Sequence, residues 1–295
     1  MRPGLSTHAF LPLRLNTGLL DAMVRACAPF GAPVLEIFAA RHHFDYADRS
    51  VVREVATWFR DSGVEATLHQ PVSVETYWSR HSAPSLNLID PEKTRRIEAM
   101  DEVKRALEAA ELVPFTAMVV HLGQARDTWS LRSLEHSITA IEHLHAFAQP
   151  LGVKLLLENY INDVSTPEHL MEILKIGHFK GVGVCLDIGH AHLSEAGLET
   201  SMEVLAPRLG ELHLHDNNGV RDEHLWPGTA EAGKGIELVR LGSLLEPLPD
   251  ATPLILEVAH ELGETAESIG PKVSRMFSDL SRLKEQQDEA SLENL

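Results

Sequence analysis

Short apolar runs recur from one end of the chain to the other, each followed by a longer stretch with helical spacing. Leu5–Phe10, Pro33–Phe38 (PVLEIF), Val64–His69 (VEATLH), Phe115–His121 (FTAMVVH), Val153–Glu158 (VKLLLE), Val182–Asp187, Leu209–His215 and Thr252–Glu257 (TPLILE) read as strands. Several are apolar almost throughout rather than alternating, which predicts strands covered on both faces, as in a parallel sheet. Between them the spacing predicts helices from Asn16–Thr17 to about Pro29, over Val51–Asp61 and from Pro91 to Leu112. Further helices are predicted over Thr128–Ala148, after Ser165–Thr166–Pro167, over Gly235–Leu245 and over Pro271–Glu285. Strands and helices alternate without a linker or a break in composition. This predicts a single (β/α)8 barrel domain over 1–285, in preference to an open doubly wound sheet. The acidic stretch 286–295 is expected to fray. The long segment Val72–Ile89, with Trp78, His81 and Pro84, is expected to be a functional lid.

The polar residues that close these runs point to a site. In a parallel barrel the C-terminal ends of all strands face one mouth. Strand three ends at His69, strand four at His121, strand five at Glu158, strand six at Asp187, strand seven near His213 and strand eight at Glu257. His190 and His192 follow Asp187; His215, Asp216, Asp222 and His224 follow His213. A single strand-end histidine is more often a hydrogen-bonded rim residue than a ligand. A run of consecutive strands delivering His, Asp or Glu to one rim is a stronger signal, because buried carboxylates persist only when paired or bound to a cation. A mixed carboxylate and imidazole set suits Zn, Mn, Co or Fe. The competing reading is a metal-free polar network, which would crowd ionisable groups at the mouth without compensation. His215 and Asp216 read as partners that orient a ligand or cap the next turn. His42, His43, His143 and His145 read as surface or loop residues. The stretch from Trp226 to Gly235 lacks the Ser or Thr that follows the lysine of a phosphate loop, so Lys234 reads as an exposed lysine.

Composition narrows the partners. The 295 residues carry a formal net charge of −17, which argues against gripping nucleic acid by bulk electrostatics. It leaves open binding through a local metal cluster. The two cysteines, Cys27 and Cys185, sit singly in apolar patterns, which fits a reducing compartment. No segment reads as a signal peptide or a membrane span, so a cytoplasmic location is expected.

Taken together, LLLENY, VCLDIGHAH, HLHD, the Asp222–Glu223–His224 loop and LILEV resemble the xylose isomerase-like barrels. That superfamily includes sugar-phosphate isomerases and epimerases, inosose dehydratases and endonuclease IV. The likeness runs over nearly the whole chain, and VLEIFAARHHFDY and NLIDPEKTRRIEAMDEVKRALEAAE look like the isomerase branch. It implies one divalent cation (Mn, Zn, Co or Mg) held by Glu158, Asp187, His213 and Glu257. It also implies that Glu158 and Glu257 are catalytic, moving a proton on and off a keto sugar, sugar phosphate or polyol through an enediolate. The endonuclease IV members imply a second possibility, a three-zinc cluster cutting at apurinic sites. His69 and His121 would then hold one zinc with Glu158 bridging, and His190, Asp222 and His224 another. An inosose-type dehydratase or lyase would need the same core. The chain departs from the endonuclease pattern at His69-Gln70-Pro71-Val72, where an aromatic residue enters DNA, at the segment after Glu158, and at Ala40–Phe44. A sugar isomerase or epimerase is therefore the favoured expectation, with the extra histidines as substrate contacts. A homodimer is expected only because barrels of this kind often pair.

Overall fold

The computed structural model of the chain describes residues 2–73 and 86–293. Trp78, His81 and Pro84 of the expected lid lie outside the described residues. The first half runs β1 (Arg2–Ser6), α1 (Thr17–Cys27), β2 (Val34–Phe38), α2 (Arg49–Ser62), β3 (Glu65–His69), α3 (Lys93–Leu107), β4 (Phe115–Val120) and α4 (Leu131–Ala148). The second half runs β5 (Lys154–Glu158), α5 (Pro167–Ile176), β6 (Gly183–Asp187), α6 (Ile188–Leu193), α7 (Gly197–Leu205), β7 (Leu209–Leu214), α8 (Leu238–Leu245), β8 (Pro253–Leu256) and α9 (Ala266–Glu293). The strands pair in parallel in chain order and β1 closes on β8, giving the (β/α)8 barrel that the alternation predicts.

Local chemistry sets the helix starts. Asn16 caps α1 by accepting from the Leu19 N–H, Asp48 caps α2, and Ser130 and Ser133 cap each other at the start of α4. Thr166 caps α5 with Pro167 at its first position, where the missing N–H costs nothing.

Two helices, α6 and α7, fill the stretch between β6 and β7, and the bounds of two terminal elements shift from the pattern-based reading. The first strand is Arg2–Ser6 rather than Leu5–Phe10, because the Ser6 hydroxyl accepts from the His8 N–H and turns Thr7–Phe10 into a 3-10 helix. The last helix begins at Ala266 rather than Pro271 and runs to Glu293. Thr265 and Ser268 exchange side-chain and main-chain hydrogen bonds there, so the cap sits before the proline.

Side chains along each strand alternate between the barrel lumen and the helical layer. Outward residues such as Leu35, Leu155, Leu157, Val184, Leu186 and Leu212 join one continuous core with the helices. Inside, Ala117, Val119, Leu156 and Cys185 form a small apolar plug. Above that plug the lumen turns polar, with Glu36, Glu158, Asp187, Glu211 and His213 all buried.

Candidate metal centre

Strand register places the donors. Asp187 pairs with His213 across β6 and β7, and Phe38 pairs with His69 across β2 and β3. Glu158, Asp187 and His69 are the last residues of β5, β6 and β3, while His121 and Glu257 follow β4 and β8 directly. Period-two phase sends all of them inward. The nine residues singled out by sequence converge at this one mouth, and they fall into three groups of potential ligand atoms. Glu158, Asp187, His213 and Glu257 form the first, His69, His121 and Glu158 the second, and His190, Asp222 and His224, joined by His215, the third.

Glu158 is the residue the first two groups share. Its Oε2 lies 2.5 Å from His121 Nε2 and 3.6 Å from His69 Nε2. Its Oε1 lies 3.5 Å from His213 Nδ1 and 3.4 Å from His190 Nδ1. His213 Nδ1 is also 2.9 Å from Glu257 Oε2 and 4.0 Å from Asp187 Oδ2. Glu158 Oε1, Asp187 Oδ2 and His213 Nδ1 are buried and make no hydrogen bond. Unpaired buried acceptors are costly, and their convergence is the arrangement a divalent cation relieves. By this test the residues fit a cation, and the mixed nitrogen and oxygen set suits Zn, Mn or Co.

Four of the rings, those of His69, His190, His213 and His224, are aimed by a partner on the far side. Main-chain carbonyls can only accept, so the Nδ1–H of His69 donates to Gln70 (2.9 Å), that of His190 to Asn159 (3.0 Å) and that of His224 to Glu257 (2.8 Å). Their Nε2 atoms are thereby left as the potential ligands. His213 is the reverse case. Its Nε2–H donates to Glu36 Oε2 at 3.0 Å, with Glu211 Oε1 at 3.4 Å, so Nδ1 faces the mouth. Asp187 Oδ1 caps α6 by accepting from the His190 N–H at 2.6 Å, leaving Oδ2 free to face the centre.

The electrostatics follow from this packing. Burial pushes Glu158 upward, but His121 and His213 overcome it and hold the carboxyl well below its ordinary range. Burial pulls His69 and His224 down, yet Glu158 and Asp222 respectively, with Glu257, carry each up to about 9. Burial and the charge of Glu36 lift Glu211 to about 7 against the hydrogen bond from His213.

Sequence reading missed Glu36, Glu211 and His8. His8 donates from Nδ1–H to Val258 O at 3.0 Å and packs 4.7 Å from the His224 ring. The signal for the two glutamates was their inward phase inside apolar runs, PVLEIF and ELHLHD. Asp216 serves as the expected cap: its carboxylate accepts from the N–H groups of Asn217, Gly228 and Ile236. Lys234 is exposed and pairs with Glu231 at 2.6 Å. His43 is in a loop but buried, contrary to a surface reading, and its desolvation lowers its pKa to about 4.

Residues 24–276 match the family of xylose isomerase-like TIM barrels. The chain belongs to that family. Among curated relatives, uncharacterized protein MJ1311 of Methanocaldococcus jannaschii is 30% identical over 171 residues. That match takes in 55% of this chain and 55% of MJ1311, so the chain spans little more than half of that relative's length. A probable endonuclease 4 of Natronomonas pharaonis is 26% identical over 239 residues, 75% of this chain and 81% of the relative. Among solved structures, a D-tagatose 3-epimerase-like protein superposes with a TM-score of 0.73 at 22% identity, covering 97% of this chain and 99% of its own. A zinc-bound IOLI protein gives 0.74 at 16% identity, covering 95% and 98%. At these identities the structural likeness speaks for the fold. No helix among the described residues is long and apolar enough to cross a membrane.

Proposed function

We propose that this barrel is a multinuclear metal-dependent hydrolase of phosphate esters, with Glu158 shared between two cation positions. The observation that carries this reading is the division of the Glu158 carboxylate. Oε2 faces His121 at 2.5 Å and His69 at 3.6 Å, while Oε1 faces His213 at 3.5 Å. Glu158, Asp187, His213 and Glu257 would hold one cation; His69 and His121, with Glu158, a second. Divalent cations held there supply Lewis-acid polarisation and neutralise the charge that builds on a phosphoryl group during displacement. The chain's own part is to orient and desolvate. Glu36 fixes the His213 ring, the Asn159 carbonyl accepts from His190 Nδ1–H, and Tyr160 stacks 5.1 Å from the His121 ring at the edge of the mouth. The relationship to a probable endonuclease 4 supports a phosphodiester as the substrate bond. The net charge of −17 favours recognition at the centre itself over a grip on a long backbone.

The second reading is the isomerase or epimerase expected from sequence. It is favoured by the flanking of His213 by Glu158 and Glu257, the pair needed for proton transfer on two faces of a sugar. It requires one oxygen of Glu158 to face a substrate carbon. The oxygen left over from the first donor group, Oε2, is already engaged by His121.

The two readings separate by assay. Zinc- or manganese-loaded protein is tested on an abasic-site duplex and on bis(4-nitrophenyl) phosphate. A parallel reaction follows deuterium uptake from D2O into ketoses. Phosphoester cleavage that falls at least about 100-fold in Glu158→Gln is the expected result, corresponding to about 2.7 kcal/mol of transition-state stabilisation. Solvent exchange into a ketose with no phosphoester cleaved would replace this reading with the epimerase one.

A further inference from the structure

The third donor group contains a histidine that the family likeness does not supply. We infer that His215 is a fourth protein ligand, closing a site with His190, Asp222 and His224 that takes a tetrahedral zinc-class cation of structural role.

The three imidazoles are set alike. Nδ1–H of His190, His215 and His224 points at the carbonyls of Asn159 (3.0 Å), Asp216 (3.4 Å) and Glu257 (2.8 Å). Their Nε2 atoms all face the Asp222 carboxylate: His190 stands 3.2 Å from Oδ2, and His215 and His224 stand 3.6 and 3.4 Å from Oδ1. Metal bonds of about 2.0–2.1 Å in a tetrahedron imply donors about 3.3 Å apart; His224 and His215 stand near that distance from Asp222 Oδ1, and one ligand atom from each of the four residues lies within 4.8 Å of the others. His215 Nε2 and Asp222 Oδ1 are buried and make no hydrogen bond, although Asp187 Oδ1 stands 3.1 Å from the former. His215 is fully buried, so its Nε2 has only Asp187 and this cluster to turn to.

The fold makes room for the ring. A Cβ on Gly189 would stand 2.0 Å from His215 Cε1 and 2.4 Å from its Nε2. Gly189 therefore admits His215 to the centre, and the two residues act as one device. Four protein donors mark structural sites, whereas catalytic sites keep a position open. A cation here would tie the Asp222–His224 loop to α6 and to the end of β7, and His224 holds an unusual left-handed backbone (φ 49°) in that loop. Substrate chemistry then falls to the pair of positions that share Glu158.

The inference rests on the reading that the mouth holds cations, and its test separates the two. Wild type, His215→Asn and Gly189→Ala are loaded with cobalt(II) and dialysed against a chelator. Retained metal is counted by mass spectrometry, visible absorption is recorded, and circular dichroism checks folding. Wild type is expected to keep one slowly exchanging equivalent with the intense absorption of tetrahedral cobalt. Both variants should fold and release that equivalent at least 100-fold faster, with the remaining loading unchanged. Variants that match wild type in retention and spectrum would overturn the inference alone. So would loss confined to the equivalent held by Asp187, since His215 would then merely support Asp187. Wild type that takes up no cation would overturn the metal reading together with the inference.

Discussion

Glu36 lies behind the centre, and replacing it tests whether the lumen beneath the mouth tunes the metal. It is fully buried on β2, and its Oε2 accepts from His213 Nε2–H at 3.0 Å. Glu211 approaches the same nitrogen at 3.4 Å, but burial and the Glu36 charge lift its carboxyl to about 7, so near neutrality it offers less negative charge. Hydrogen bonds to charged groups contribute about 1.5–3 kcal/mol and neutral ones about 1 kcal/mol. Glu36→Gln keeps an acceptor and loses the charge, which is worth roughly 1.4 kcal/mol, or about tenfold in affinity. Glu36→Ala also frees the ring to rotate or change tautomer, and the loss should approach about 100-fold. Glu211→Gln should cost less than about threefold, since the nearer, charged acceptor remains. The assay is zinc competition against a chromophoric chelator at pH 7, resolved by equivalent, with circular dichroism as the folding control. Wild-type affinity in Glu36→Ala, or a larger loss in Glu211→Gln than in Glu36→Gln, would refute this reasoning.

Three further outcomes are expected. In the cation-free protein His69 and His224 hold protons up to about 9, so cation binding at pH 7.5 must displace them; calorimetry in buffers of different ionisation enthalpy should show proton release, and identical heats would contradict it. Burial lowers His43 from 6.5 to about 4, so the folded state binds fewer protons than the unfolded one in that window. Stability present above pH 6.5 should therefore be lost on acidification, by about 2 kcal/mol at pH 5 relative to pH 7; urea titrations of wild type and His43→Gln should differ in this slope, and equal slopes would reject the assignment. Cys27 and Cys185 are buried, and desolvation raises the thiol of Cys27 to about 12 and that of Cys185 well above its ordinary value. Neither should react with a disulfide reagent until denaturant is added; prompt labelling of the native protein would count against the packing described.

Much of this was readable in the chain because a parallel barrel converts sequence phase into spatial convergence. Once VKLLLE, VCLD and ELHLH are strands, Glu158, Asp187 and His213 must share a mouth. The polar lumen was harder to see. Glu36 and Glu211 lie within apolar strands, and only the closed barrel shows that they meet at one nitrogen of His213. The roles of His215 and Gly189 depend on a contact between residues on different strand–loop units, which spacing alone does not specify. The sharing of Glu158 was implied by likeness to one branch of the family, but the competing branch uses the same residues. Which oxygen faces which ring is a matter of side-chain geometry. At the termini, hydroxyl caps decided the outcome: Ser6 ends the first strand early, and Thr265 with Ser268 starts the last helix before its proline.

The most direct measurement is an anomalous difference map at the zinc edge from crystals of the zinc-loaded protein. Separate peaks should stand on the two sides of the Glu158 carboxylate, with a third enclosed by His190, His215, Asp222 and His224. A single peak among Glu158, Asp187, His213 and Glu257, with His69 and His121 bare, would contradict a shared carboxylate and return the barrel to one-metal chemistry.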